Sequence, residues 1–166
     1  MDASALDDAA IDFAIAAVRE DGIWQVSPLP PRTGAELEAF LHALRQQPGE
    51  VGTLGFVSVA EDFFVAARVR GEEVRLLLSD VTCVPDWPLA AEVLVRLGLS
   101  APEGPELEES TPAGDLEIFA DLGLPAMELA MLCEDLDLYP DEQIGSIATR
   151  LGFGEQYETI VDAALG

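Results

Sequence analysis

A chain of 166 residues has room for one domain, or one domain with a small appendage, and its 49% hydrophobic and 24% charged residues are those of a folding globular protein. Thirty-two acids against eight bases give a net charge of −24, and all eight bases are arginines because lysine is absent. Such a surface cannot neutralise phosphates, so direct binding to nucleic acid or to anionic lipid is excluded as an expectation.

Cationic protein surfaces are what this field would attract, although the same charge also serves solubility alone. No stretch reaches the ~18–20 uninterrupted apolar residues of a membrane span. The N-terminus, Met1-Asp2-Ala3-Ser4-Ala5-Leu6-Asp7-Asp8, is acidic where a signal peptide is basic. A cytoplasmic protein is expected, with Cys83 and Cys133 as buried free thiols rather than a disulfide.

In chain order, apolar runs at Phe13 to Arg19 and Ile23 to Ser27 flank Glu20-Asp21-Gly22, and an Asp-Gly pair in that place predicts a hairpin. Thr33 and Glu36 have the spacing of a capping box ahead of Leu37, Phe40, Leu41 and Leu44, the stripe of an amphipathic helix that Pro48-Gly49 stops. Thr53 to Val59, Phe63 to Arg70 and Val74 to Ser79 then read as a three-stranded meander. Pro88 opens a helix carrying Leu89, Val93, Leu94 and Leu97, which Gly98 ends.

The order ββαβββα predicts an α+β domain over residues 1–99, a five-stranded antiparallel sheet with helices on one or both faces. It is similar in element order to roadblock, longin and profilin-like scaffolds. Residues 100–114, rich in Pro, Glu and Gly, read as a solvated linker. Residues 115–166 read as a helical unit, packed on the sheet or standing apart from it. Within it Asp115 caps a short helix with Leu116, Phe119 and Ala120, and Pro125 opens another with Ala126, Leu129, Cys133 and Leu136. Pro140 to Leu151 carries Ile144, Ile147 and Ala148 on one face with Gly152 as its cap, and Tyr157, Ile160, Val161 and Ala164 mark a last helix.

Residues for chemistry are scarce. The single histidine, His42, lies within the first helix and has no triad around it, and two separated cysteines with one histidine fall short of a zinc site. The acids from Glu134 to Glu142 do not make an EF-hand, because Tyr139 and Pro140 stand where an oxygen ligand and a glycine are needed. Asp141 and Glu142 instead suit the first turn of a helix. Neither a Walker A pattern nor GxGxxG occurs. No catalytic residue, metal or cofactor is therefore expected. Trp87, between Asp86 and Pro88, is either an interface anchor or a wedge at a helix start, and Phe119 and Tyr139 pose the same choice.

Several segments together resemble the tRNA adenosine deaminase-associated proteins of actinobacteria. They are Leu78-Ser79-Asp80-Val81-Thr82, Asp86-Trp87-Pro88, Gly114-Asp115-Leu116, Ile118 to Leu124, Leu138 to Glu142 and Arg150 to Gly154. The resemblance runs from about Leu76 to the end, whereas the N-terminal half matches in element order and acidity. It implies a partner of the deaminase and not the enzyme, whose zinc is held in an H-x-E and P-C-x-x-C pattern. Here Pro85 follows Cys83, and Cys133 has no cysteine three residues on.

The expected role is that of a non-catalytic acidic accessory protein, whose carboxylates meet the cationic surface that the deaminase needs for tRNA. The interface residues expected from the sequence are Asp80, Asp86, Trp87, Asp115, Phe119, Asp121, Tyr139, Asp141 and Glu142. The rival reading is a stand-alone scaffold that forms homodimers, or binds another protein, through a sheet edge or a groove.

Overall fold

The computed structural model describes residues 10–47, 49–84, 86–99, 111–135 and 137–165. The acidic leader, Pro48, Pro85, Leu136 and residues 100–110 of the expected linker lie outside the described residues.

Asp21 and Gly22 both take positive φ, 53° and 78°, as a two-residue hairpin turn requires, and they fold β1 (Ile11–Glu20) onto β2 (Ile23–Leu29). β3 (Thr53–Val59), β4 (Phe63–Arg70) and β5 (Glu73–Leu78) continue the antiparallel sheet as the expected meander. β1 pairs with β3 as well as with β2, so the sheet runs β2-β1-β3-β4-β5 and then gains one more strand.

That strand corrects the expected count of five. Ala113–Gly114, placed by the sequence in the linker, forms β6 against Leu77 and Leu78 of β5. Two residues carry no side-chain alternation to announce a strand; their pairing is made by backbone alone. Gly114 sits at φ 116°, and a Cβ there would lie 2.4 Å from the Leu76 carbonyl, so only glycine lets the chain hug the edge of β5 before it turns away.

The strands of the centre are buried on both sides, which is why they read as near-continuous apolar runs and not as alternating ones. On the first face Ala14, Val57, Val65 and Leu78 pack beneath three helices: α1 (Pro31–Ala35), α2 (Leu37–Arg45) and α3 (Pro88–Leu97). On the second face Phe13, Phe56, Phe64 and Leu77 pack beneath α4 (Ala126–Glu134), α5 (Pro140–Leu151) and α6 (Gly154–Leu165). The C-terminal helices thus close over the sheet and make a three-layer arrangement. A bulge between Ile11 and Phe13 turns Ile11 to the first face although Phe13 and Ile15 lie on the second, and Asp12 within it accepts from Ser58 Oγ at 2.9 Å and from the Glu61 amide at 2.8 Å.

Two local expectations fail for identifiable reasons. Pro31 starts a helix one turn earlier than the sequence suggests, so Thr33 lies inside α1 and makes no capping box with Glu36. Glu36 is extended at the start of α2, whose Leu37 amide is capped from across the layer by Glu92 Oε2 of α3, at 3.3 Å. Asp115 does accept from the Glu117 amide at 2.9 Å, but the chain then forms a turn and a 3-10 segment, Ala120–Leu122, and not an α-helix. Gly98 and Gly152 end α3 and α5 in the left-handed conformation, as expected.

Candidate binding groove on the helical face

The returning segment after β6 is fastened to the sheet by two arginines. Arg68 of β4 and Arg75 of β5 are cross-strand partners, so both side chains project on the second face. Arg68, 4% exposed, donates to Asp121 and to the carbonyls of Ile118 and Val51. Arg75 donates to Asp115 Oδ2 at 2.6 Å and to the Glu117 carbonyl at 2.9 Å. Hydrogen bonding from Arg68 pulls the Asp121 carboxyl below the ordinary carboxylate value.

Trp24 fastens the other end. From β2 its indole Nε1 donates to the last carbonyl of α5, Leu151, at 3.0 Å, while its ring lies 4.9 Å from that of Phe153. Gln143, buried in α5, donates to the Leu132 carbonyl at 2.7 Å and so satisfies the C-terminal end of α4. The helical layer is therefore tied to the sheet at several points.

On its outer side a groove of about 790 Å³ opens between α4, α5 and α6. Leu124, Leu132, Tyr157 and Val161 give it an apolar floor. Tyr157 is buried and donates to the Asp141 carbonyl at 2.7 Å; burial raises its pKa, so the phenol stays protonated and structural. Six carboxylates surround the floor: Glu128 and Asp135 from the α4 side, Asp141 and Glu142 from α5, Glu158 and Asp162 from α6. The guanidinium of Arg150 also lines the groove, and it is engaged by Glu128 at 2.5 Å and by the Gly123 carbonyl at 3.1 Å.

The residues expected from the sequence to form an interface divide among three places. Asp141 and Glu142 line the groove, and Tyr139, 60% exposed, stands beside them at the start of α5, where its amide donates to Glu142 Oε1 at 3.0 Å. Asp115, Phe119 and Asp121 belong to the fastened segment. Phe119 is wholly buried, 5.7 Å from Phe56, and a side chain whose burial contributes about 1.5–3 kcal/mol to the fold is not free to anchor a partner. Asp80, Asp86 and Trp87 lie on the connection from β5 to α3. There Asp80 caps the Thr82 amide at 2.9 Å, Asp86 is exposed, and half-buried Trp87 packs on the first-face core, 6.4 Å from Phe63. The sheet separates this last group from the groove.

Lining residues missed by the sequence include Glu128, Met131, Asp135, Arg150, Glu158 and Asp162. The available signal was in α4, where Leu129 and Cys133 face the core while Met127 and Met131, one turn apart, are 77% and 65% exposed. A helix apolar on two sides asks to be covered on two sides.

His42 is exposed on α2. Cys83 lies in the first-face core and Cys133 in the second, and burial pushes each thiol up to about 12. Among the described residues no three of His, Cys, Asp and Glu gather where they could hold a metal ion, and no helix is long and apolar enough to cross a membrane.

The chain is 39% identical to "Protein Rv3753c" of Mycobacterium tuberculosis over 153 residues, which cover 90% of this chain and 87% of that protein. No solved structure matches it significantly. A family described as Rv3753c-like tRNA adenosine deaminase-associated protein matches residues 12–154, and the chain belongs to that family.

Proposed function

We propose that the chain is a non-catalytic accessory protein of the cytoplasm that binds a tRNA adenosine deaminase. The observation that carries this reading is the family's own description, which associates its members with that enzyme. Charge supports a physical contact. An enzyme that holds tRNA must offer Lys and Arg to the phosphates, and a chain of net charge −24 is complementary to such a surface while being repelled by the RNA itself. The acidic groove gives that complementarity a shaped and partly apolar centre, which diffuse surface charge lacks.

The test is direct mixing of the purified chain with the deaminase of its own organism, followed by calorimetry at low and at high salt. A complex of micromolar affinity or better at low salt, weakening as salt is raised and displaced by tRNA, is the expected result. Absence of any complex at low salt and micromolar concentration would overturn it.

A further inference from the structure

The groove between α4, α5 and α6 offers side chains and almost no free backbone. Most of its lining residues lie inside three helices, whose amides and carbonyls are engaged in the helices themselves. An extended peptide laid there would withdraw its own backbone groups from water without finding partners for them. A helix arrives with those groups already bonded.

The shape of the wall agrees. Along α5 the lining residues form two rows with a spacing of four, Asp141-Gly145-Thr149 and Glu142-Ser146-Arg150. Packed helices interdigitate along such rows. Gly145 and Ser146 stand at their centres, where the Tyr157 ring packs over Gly145, 3.3 Å from where a Cβ would stand, so the wall is lowest in the middle and floored by that ring.

Chemistry selects which helix. Met131 lines the groove and Met127 stands one turn earlier on α4; both are exposed, and flexible thioethers shape themselves to varied apolar partners. The rim is formed by six carboxylates, and its guanidinium is already engaged. A second copy of this chain would set acid against acid, and nucleic acid would do the same.

We infer that the groove receives a basic amphipathic helix from a partner protein. The apolar side of that helix faces Met131, Leu132 and Val161. Its Lys and Arg side chains reach Asp135 on one rim and Glu158 and Asp162 on the other. The inference deepens the accessory-protein reading, on which it rests for the partner being a protein, and adds the place and the form of what is bound.

The experiment titrates three synthetic peptides of equal length into the isotope-labelled full chain, reading affinity and amide chemical shifts. The first is a Leu/Lys amphipathic helix, the second a scramble of the same composition without an apolar face, and the third the amphipathic helix with Glu in place of Lys. Binding of the first, with shifts confined to α4, α5 and α6, is expected, together with about tenfold weaker binding of the scramble and none of the acidic peptide. The doubly substituted Glu158→Gln/Asp162→Asn chain and the Met131→Ser chain, altered at exposed positions, should each lose roughly tenfold in affinity for the first peptide. Equal binding of the scramble, or shifts spread over both layers, would overturn the inference.

The deaminase then separates the two readings. If it binds the native and groove-substituted chains alike, the groove assignment fails and the accessory reading stands. If the peptide binds in the groove and the enzyme does not bind at all, the accessory reading fails and the groove assignment stands.

Discussion

Arg68 holds Asp121 through two parallel hydrogen bonds, Nη1 to Oδ1 at 2.6 Å and Nη2 to Oδ2 at 2.9 Å. The same guanidinium reaches the Ile118 carbonyl at 2.9 Å, so one buried side chain of β4 fixes the chain just where it crosses from β6 to the second helical layer. The planar fork of an arginine suits this task, since it can satisfy a carboxylate and nearby carbonyls together.

Replacing Arg68 by Met should lower stability by about 2 kcal/mol, because the Val51 and Ile118 carbonyls lose their donor inside the protein. The figure stays below that of a fully buried ion pair, since Asp121 is 58% exposed and can be rehydrated. Denaturant unfolding measures it, and hydrogen exchange over 115–122 should rise more than exchange in β3. Uniform exchange across the chain would remove Arg68 from this role.

The pair also predicts a dependence on acid. Asp121 has its carboxyl held below the ordinary 3.8, first by hydrogen bonding from Arg68. A depressed carboxylate contributes stability that is present above its unfolded pKa and is lost as pH falls through the folded one. The stability difference between the native chain and Asp121→Asn should therefore be constant near neutrality and shrink below about pH 4. Thermal melts of both chains across that range provide the check; a difference that persists unchanged into strong acid contradicts it.

Much of the fold was legible because side-chain periodicity writes it into the sequence. The stripe Leu37, Phe40, Leu41 and Leu44 is the buried face of α2, and the Asp21-Gly22 turn closes the first hairpin. What lacked periodicity was lost: β6 is two residues of backbone pairing, and α1 owes its start to Pro31 and not to Thr33. Arg68 was visible only as a charge inside the apolar run Phe63 to Val69, a sign that something polar must cross the sheet's face to meet it. Asp141 and Glu142 were expected at an interface as acids of the segment Leu138 to Glu142, but the groove belongs to the outward sides of three helices. No single segment of sequence records that proximity.

Trp24 predicts a separate effect at the far end of the layer. Trp24→Phe keeps an aromatic ring but removes the donor to the Leu151 carbonyl, which should cost about 1–2 kcal/mol. The loss should be felt locally, as faster exchange of the amides at the start of α6, because Gln156 also donates to the Trp24 carbonyl, at 3.2 Å. An unchanged unfolding midpoint would show that the indole hydrogen bond contributes nothing.

The two thiols should stay silent in the native protein. Cys83 and Cys133 are buried on opposite faces of the sheet, and burial raises both to about 12, so neither presents a thiolate near neutral pH. Alkylation at mildly alkaline pH should be undetectable until denaturant is added, when both react together. Rapid labelling of either one alone in the folded chain would place it in a more open setting than this packing gives.

The first helical layer approaches the sheet closely at Gly55 of β3. A Cβ at this position would stand 2.6 Å from Phe40 Cζ and 2.7 Å from both terminal methyls of Leu44, so α2 rests almost directly on the strand's backbone. Gly55→Ala should consequently destabilise by about 1–3 kcal/mol through overpacking, even though alanine suits a strand better than glycine does. The obstructing atoms are the ends of side chains, which makes the strain relievable. Phe40→Leu by itself should destabilise by removing ring contacts, yet combined with Gly55→Ala it should recover part of the lost stability, a coupling that a double-mutant cycle reads directly. Strict additivity of the two substitutions would mean that α2 moves away as a unit, and that its seat on β3 is looser than these contacts require.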